Sequence, residues 1–206
     1  MKKFLASALS AALLLSALAG CSGSGSGSAS GSAPTGSGAS DGDKVVKIGV
    51  FEPASGDSAS GGKKEMLGMQ FANSETPTVE LGGETYQVEL VYADNGSSTD
   101  KAPSAASQLV SEGVSVVLGS YGSGVSIAAG PIFRDAGIPA MGVTCTNPNV
   151  TAGNDHYFRI CFLDPFQGTV LANFATEKFS AQKAYLLGEL GNDYDQGLMN
   201  YFEQAF

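Results

Sequence analysis

The segment GSYGSG, Gly119 to Gly124, follows the apolar run VSVVLG and opens a stretch of helical spacing, SGVSIAAGPIFRDAG. Backbone N–H groups at a helix start have no intrahelical partner and carry partial positive charge, so such a turn favours an anion. The Ser123 hydroxyl would point to the same place. The Lys and Ser/Thr of a P-loop are missing, so the turn is not a P-loop, and its fit to GxGxxG is poor. An equal alternative is a tight turn in which Ser123 only caps the helix. Three more loops are rich in Gly, Ser and Thr: EPASGDSASGG from Glu52, ADNGSSTD from Ala93, and VTCTNPN from Val143. A fifth, GELGNDYD, is acidic.

Catalytic patterns are weak. His156 is the only histidine and sits in a polar loop, no GxSxG elbow is present, and no base stands near Cys145 in the sequence. Four zinc ligands cannot be assembled. DNGSSTD, Asp94 to Asp100, lacks the alternating acids and distal Glu of a calcium loop, which leaves Asp94 as an acid capping the next helix. Hydroxyl-rich loops without an acid–base pair favour binding over turnover, so no enzyme activity, metal or cofactor is expected.

The elements that must position these loops alternate. VVKIGVFEP reads as a buried strand, GKKEMLGMQFANSE as a short helix broken at Pro77, and TYQVELVYADN as a strand. TDKAPSAASQLVSEGV places Ala102, Ala105, Ala106, Leu109 and Val110 on one helical face and stops at Gly113. VSVVLG, IPAMGV and YFRICF follow as strands, with a helix after the first. DPFQGTVLANFATEKF is helical, AQKAYLLGEL mostly strand, and YDQGLMNYFEQAF a helix turning Leu198, Met199, Phe202 and Phe206 inward. Such alternation gives an α/β fold, a parallel sheet with helices on both faces. In that architecture ligands sit at the carboxyl ends of the strands, where the loops above lie. The last helix ends on Phe206 without a glycine cap or closing strand, which predicts a fragment of a longer chain cut inside a second lobe.

The first 20 residues, MKKFLASALSAALLLSALAG, have the basic start, apolar core and small-residue end of an export signal. LAGC resembles a bacterial lipobox, which makes Cys21 the lipidation site and the membrane attachment point. Residues 21–43 are then the lipidated cysteine and a Gly/Ser-rich tether that cannot bury a core. The chain of 206 residues carries a net charge of −9 and no cluster of Lys and Arg, which excludes nucleic acid as a partner. After lipidation of Cys21 two cysteines remain, Cys145 and Cys161, either as a disulfide or as two buried free thiols.

KIGVFEPASGD, LVSEGVSVVLGSYGSGVSIAAGPIFRDAGIPAMGVTCTNPNVT, YFRICFLDPFQG and NDYDQGL, in this order, resemble the leucine/isoleucine/valine-binding proteins of bacterial ABC transporters. The resemblance runs from Val45 to the end and implies the type I periplasmic-binding fold, with a first lobe over residues 44–162 and the start of a second over 163–206. It implies capture of an amino acid, branched-chain or otherwise apolar, and delivery to an ABC permease outside the membrane. A sensor ectodomain with the same fold is the alternative. It also implies that Ser123, Thr146 and the N–H groups around Gly122 hold the ligand carboxylate, while the Thr144 carbonyl takes its ammonium. Asp164 falls on the hinge and Tyr194 on the second-lobe pocket. The ammonium-binding acid of that family would lie beyond Phe206. Where the family often has an aromatic this chain has Gly61, so the side-chain pocket is roomier or closed by another residue.

Overall fold

A computed structural model describes residues 44–206. The signal segment, Cys21 and the tether lie outside the described residues. Six strands form one sheet in the order β2-β3-β1-β4-β5-β6. They are β1 (Val45–Glu52), β2 (Thr78–Leu81), β3 (Glu84–Asp94), β4 (Val116–Leu118), β5 (Ala140–Gly142) and β6 (Tyr157–Arg159). β1 pairs in parallel with β3 and β4, and the parallel pairing continues through β5 to β6. The helices are α1 (Ala59–Glu75), α2 (Ala102–Ser111), α3 (Ser123–Asp135), α4 (Asp164–Phe179) and α5 (Asp193–Ala205).

α2 and α3 cover one face. The alanines Ala102, Ala105 and Ala106 and Leu109 are buried, as helical spacing predicts, and their small size lets α2 lie close to the sheet. Phe51 of β1 meets Phe133 of α3 edge-on at 5.5 Å, at the centre of the core. α1 covers the opposite face loosely. Only Gly62 of this helix is buried, Leu67 and Phe71 are exposed, and an apolar gap of about 530 Å³ separates it from Ile48, Val88, Leu90 and Leu118.

Three expectations are corrected. α1 is a 17-residue helix that begins at Ala59, not a short one. The sheet is parallel as expected, with one addition: β2 pairs antiparallel with β3 at the edge. The two are joined by Gly82 and Gly83, both at positive φ as a two-residue hairpin turn requires. The segment 181–190 is not a strand: no strand among the described residues lies beside it, and Leu187 and Leu190 are 86% and 101% exposed. A strand without a neighbour has nowhere to place its backbone hydrogen bonds. On α5, Leu198, Met199 and Phe202 are half-buried and Phe206 is exposed, so its apolar face is only partly covered.

Candidate functional site

The order of strands reverses between β1 and β4, and at such a switch point the loops leaving the two strands part and open a crevice. A cavity of about 540 Å³ occupies it. Ser58, Tyr121, Gly122, Ser123, Thr144 and Thr146 form one wall, and Cys161, Phe162, Gln167, Asn192, Tyr194 and Asp195 the other. A more polar pocket of about 310 Å³ continues it along Ser97–Thr99 and Glu189–Asp193. The structure therefore brings Gly122, Ser123, Thr144, Thr146 and Tyr194 to one space.

Ser123 is not the helix cap. Gly122 holds that position, and Ser123, 1% exposed, is the first helical residue. Its Oγ accepts from the Asn147 backbone N–H at 3.1 Å, so its own proton remains available to an acceptor in the cavity. Thr146 is buried and its Oγ1 has no hydrogen-bond partner. Thr144 is different: its hydroxyl donates to Glu65 Oε1 of α1 at 2.5 Å, away from the cavity. Tyr194 accepts from Gln167 Nε2 at 2.8 Å across α4 and α5. Asn192 caps α5, accepting from the N–H groups of Tyr194 and Asp195 at 3.1 and 3.2 Å.

Asp164 does not line the cavity. It lies fully buried behind Thr146, whose carbonyl accepts from the Asp164 N–H at 3.1 Å. Burial raises its carboxyl pKa, opposed by the nearby Thr146 hydroxyl and the Arg159 guanidinium. The Thr146 hydroxyl faces that carboxyl without completing a hydrogen bond, and both Asp164 oxygens are unpartnered. Cys145 and Cys161 are free thiols, so the disulfide is not formed. Burial pushes the Cys145 thiol up to about 11, which keeps it protonated and unreactive. Asp94 caps no helix. It ties two loops together, accepting from the Ser55 hydroxyl at 2.6 Å and from the N–H groups of Ala54, Ser55 and Gly96. His156 pairs with Asp155 at 2.8 Å and lines neither part of the crevice. Among the described residues no cluster of His, Cys, Asp or Glu is placed to hold a metal ion.

Three features escape the sequence reading. The turn after β4 is held from below by buried polar groups: Glu52 Oε2 accepts from the Tyr121 N–H at 2.7 Å, Asn95 Nδ2 donates to Ser120 Oγ at 2.8 Å, and the Tyr157 hydroxyl donates to Gly119 O at 2.9 Å. The Tyr121 ring lies over Gly61, where a Cβ would fall 2.5 Å from two ring carbons. An aromatic from the β4 loop thus stands beside the place where the resemblance implies one on α1. Arg159 grips the loop after β5, donating to the carbonyls of Cys145, Asn147 and Pro148 at 3.1, 2.8 and 3.2 Å and to Thr151 Oγ1 at 2.5 Å. Lysine cannot reproduce that planar fork. Arg159→Lys should cost about 1–2 kcal/mol, measured by urea unfolding, and should weaken ligand binding because the Asn147–Ser123 contact is no longer fixed.

A sequence-family model described as periplasmic binding protein matches residues 45–206. The Leu/Ile/Val-binding protein homolog 3 of Brucella melitensis is 29% identical over 161 residues, 78% of this chain and 43% of its own. An amino acid binding protein of Pseudomonas aeruginosa is 32% identical over 74% of this chain and 41% of its own. Among solved structures, the leucine-binding protein LivK of Thermotoga maritima superposes with a TM-score of 0.74 at 35% identity, covering 78% of this chain and 45% of that one. LivJ of Streptococcus pneumoniae, a branched-chain amino acid substrate-binding protein solved with isoleucine, gives 0.72 at 32% identity, over 79% and 47%. The chain spans less than half the length of each of these relatives. With the parallel sheet, the crevice at its switch point and a match over nearly all described residues, the chain belongs to the periplasmic binding protein family and has the type I fold of its leucine/isoleucine/valine-binding members.

Proposed function

We propose that this protein is an extracytoplasmic solute-binding protein that captures an amino acid by its carboxylate and delivers it to an ABC permease. The observation that carries this reading is the Ser123 hydroxyl at the start of α3, which has a proton to give, with the buried Thr146 hydroxyl of the loop after β5 on the same wall of the crevice and the first N–H groups of a helix beside them. A carboxylate satisfies all of them, and hydrogen bonds to a charged group contribute about 1.5–3 kcal/mol each. Among the described residues no lysine or arginine lines the crevice, which suits a ligand that must be released again. Residues 44–162 act as the first lobe and 163–206 as the start of the second, with Tyr194 reaching the ligand from that side. Cys21, once lipidated, holds the protein to the membrane through the tether. The apolar surfaces of Tyr121 and Phe162 favour a branched-chain or other apolar side chain.

Calorimetry on the full-length protein tests the carboxylate. Leucine, isoleucine and valine should bind, and their amides, which keep the ammonium and side chain, should bind at least tenfold more weakly. Amides that bind as tightly as the acids would overturn the assignment.

A further inference from the structure

Beneath the crevice lie two carboxyl groups from different elements, Glu52 at the end of β1 and Glu65 in α1. Glu52 is 1% exposed. Each has one oxygen engaged with a residue of the cavity wall: Glu52 Oε2 accepts from the Tyr121 N–H at 2.7 Å, and Glu65 Oε1 accepts from the Thr144 hydroxyl at 2.5 Å. The remaining oxygens, Glu52 Oε1 and Glu65 Oε2, are both buried and have no other partner. The two side chains lie beside one another. An ionised carboxylate can only accept, so two neighbouring carboxylates with buried, unpartnered oxygens repel unless they share a proton. With one proton, Glu52 donates to Glu65 and all four oxygens are satisfied. Buried polar groups are rarely left unpaired, because each orphan carries its full desolvation cost.

We propose that Glu52 and Glu65 hold one proton between them and act as the positioning pair of the binding site, fixing the Tyr121–Ser123 turn and the Thr144 hydroxyl and keeping a second negative charge away from the bound carboxylate. This rests on the carboxylate reading for its effect on affinity, but not for the proton itself. Burial pushes the Glu52 carboxyl up to about 9, the Glu65 carboxyl adds to the rise, and the Tyr121 N–H opposes it. The other titratable group facing Glu52 is Tyr157 of β6, itself pushed up by burial, with Cys145 next to it. Glu52 is therefore a positioning residue that acts on the ligand through Tyr121 and, by way of Glu65, through Thr144.

The sign of the pH effect follows. The folded protein keeps a proton that the unfolded chain releases above about 4.5, so the stability supplied by protonated Glu52 is complete below that pH, falls as pH rises, and is gone above about 9. Glu52→Gln mimics the protonated form: its amide donates to Glu65 and its oxygen accepts from Tyr121. Wild type at pH 7 should show the infrared carbonyl band of a protonated buried carboxylic acid, and Glu52→Gln should lose it. Unfolding free energy between pH 5 and 9 should fall more steeply in wild type than in Glu52→Gln. For leucine, the ratio of the dissociation constant at pH 10 to that at pH 7 should be about tenfold greater in wild type, the effect of a second charge near the ligand at intermediate dielectric. Loss of the ligand's own ammonium proton is common to both proteins and cancels. No carbonyl band in wild type overturns the shared proton, and this reading needs no variant that must fold. A band with equal affinity ratios overturns the positioning role. Absence of any amino-acid binding defeats the proposed function instead, and the band and stability slope still decide the pair.

Discussion

Replacing Gly119 with alanine should lower the unfolding free energy by about 3–5 kcal/mol, the sum of backbone strain and steric overlap. Gly119 directly follows β4 at a φ of +117°, a region that side chains rarely enter. A Cβ there would fall 2.2 Å from Phe51 O and 2.6 Å from Glu52 Oε1. The first contact is with backbone in the middle of the sheet and cannot be relieved by a side-chain rotation. The chain must therefore move β4 away from β1 at the switch point, which opens the crevice and breaks the Glu52–Tyr121 hydrogen bond. Denaturant unfolding should show a lower midpoint with an unchanged slope. A midpoint within experimental error of wild type would mean that the close approach of β1 to this turn is not needed for folding.

Ser123→Ala should weaken amino-acid binding by about 1.5–3 kcal/mol, a ten- to hundredfold rise in dissociation constant. The same substitution leaves the Asn147 N–H without its acceptor in a buried position, which should cost about 1–3 kcal/mol of stability. The two losses are separable because calorimetry and melting read different states. Lowered stability with unchanged affinity would assign Ser123 to holding the β5 loop and remove a main donor from the carboxylate site. Restoration of affinity by Thr at position 123, which keeps the hydroxyl, would argue that the donor and not the packing is required.

What could be read in advance follows from where the information sits. The α2 face is legible because four buried positions recur at helical spacing in a segment that has a proline in its first turn and a glycine after its end. β1 was legible as an apolar run, and GSYGSG as a strand-to-helix turn. The ligand set came from resemblance, and the structure gathers Gly122, Ser123, Thr144, Thr146 and Tyr194 while leaving Asp164 behind the wall. Glu52 and Arg159 were missed because their partners lie in other elements. Glu65 is on α1 and the carbonyls gripped by Arg159 belong to a preceding loop, so no spacing announces either contact. The available signal was a conflict: an acid directly following GVF and an arginine inside YFRICF are charges in apolar surroundings, and buried charges require partners. β2 was missed because four residues carry little periodicity, although the Gly82–Gly83 pair marks a hairpin. At 181–190 the sequence pattern suggests a strand that the structure lacks, since β-forming residues do not make a strand without a neighbour to pair with.

That unpaired segment has a colloidal consequence. AYLLG, Ala184 to Gly188, is a run of apolar and β-forming residues outside any helix or strand, with no strand beside it among the described residues. The exposed Tyr185 and Leu187 in a run without charge present what a cross-β zipper recruits: a short apolar segment of high β-propensity. Lys183 before the run and Glu189 after it stand as gatekeepers, because a second copy stacking in register would set lysine on lysine and glutamate on glutamate. An antiparallel approach brings the two signs together instead, so the charges that resist one kind of fibril select the orientation of the other.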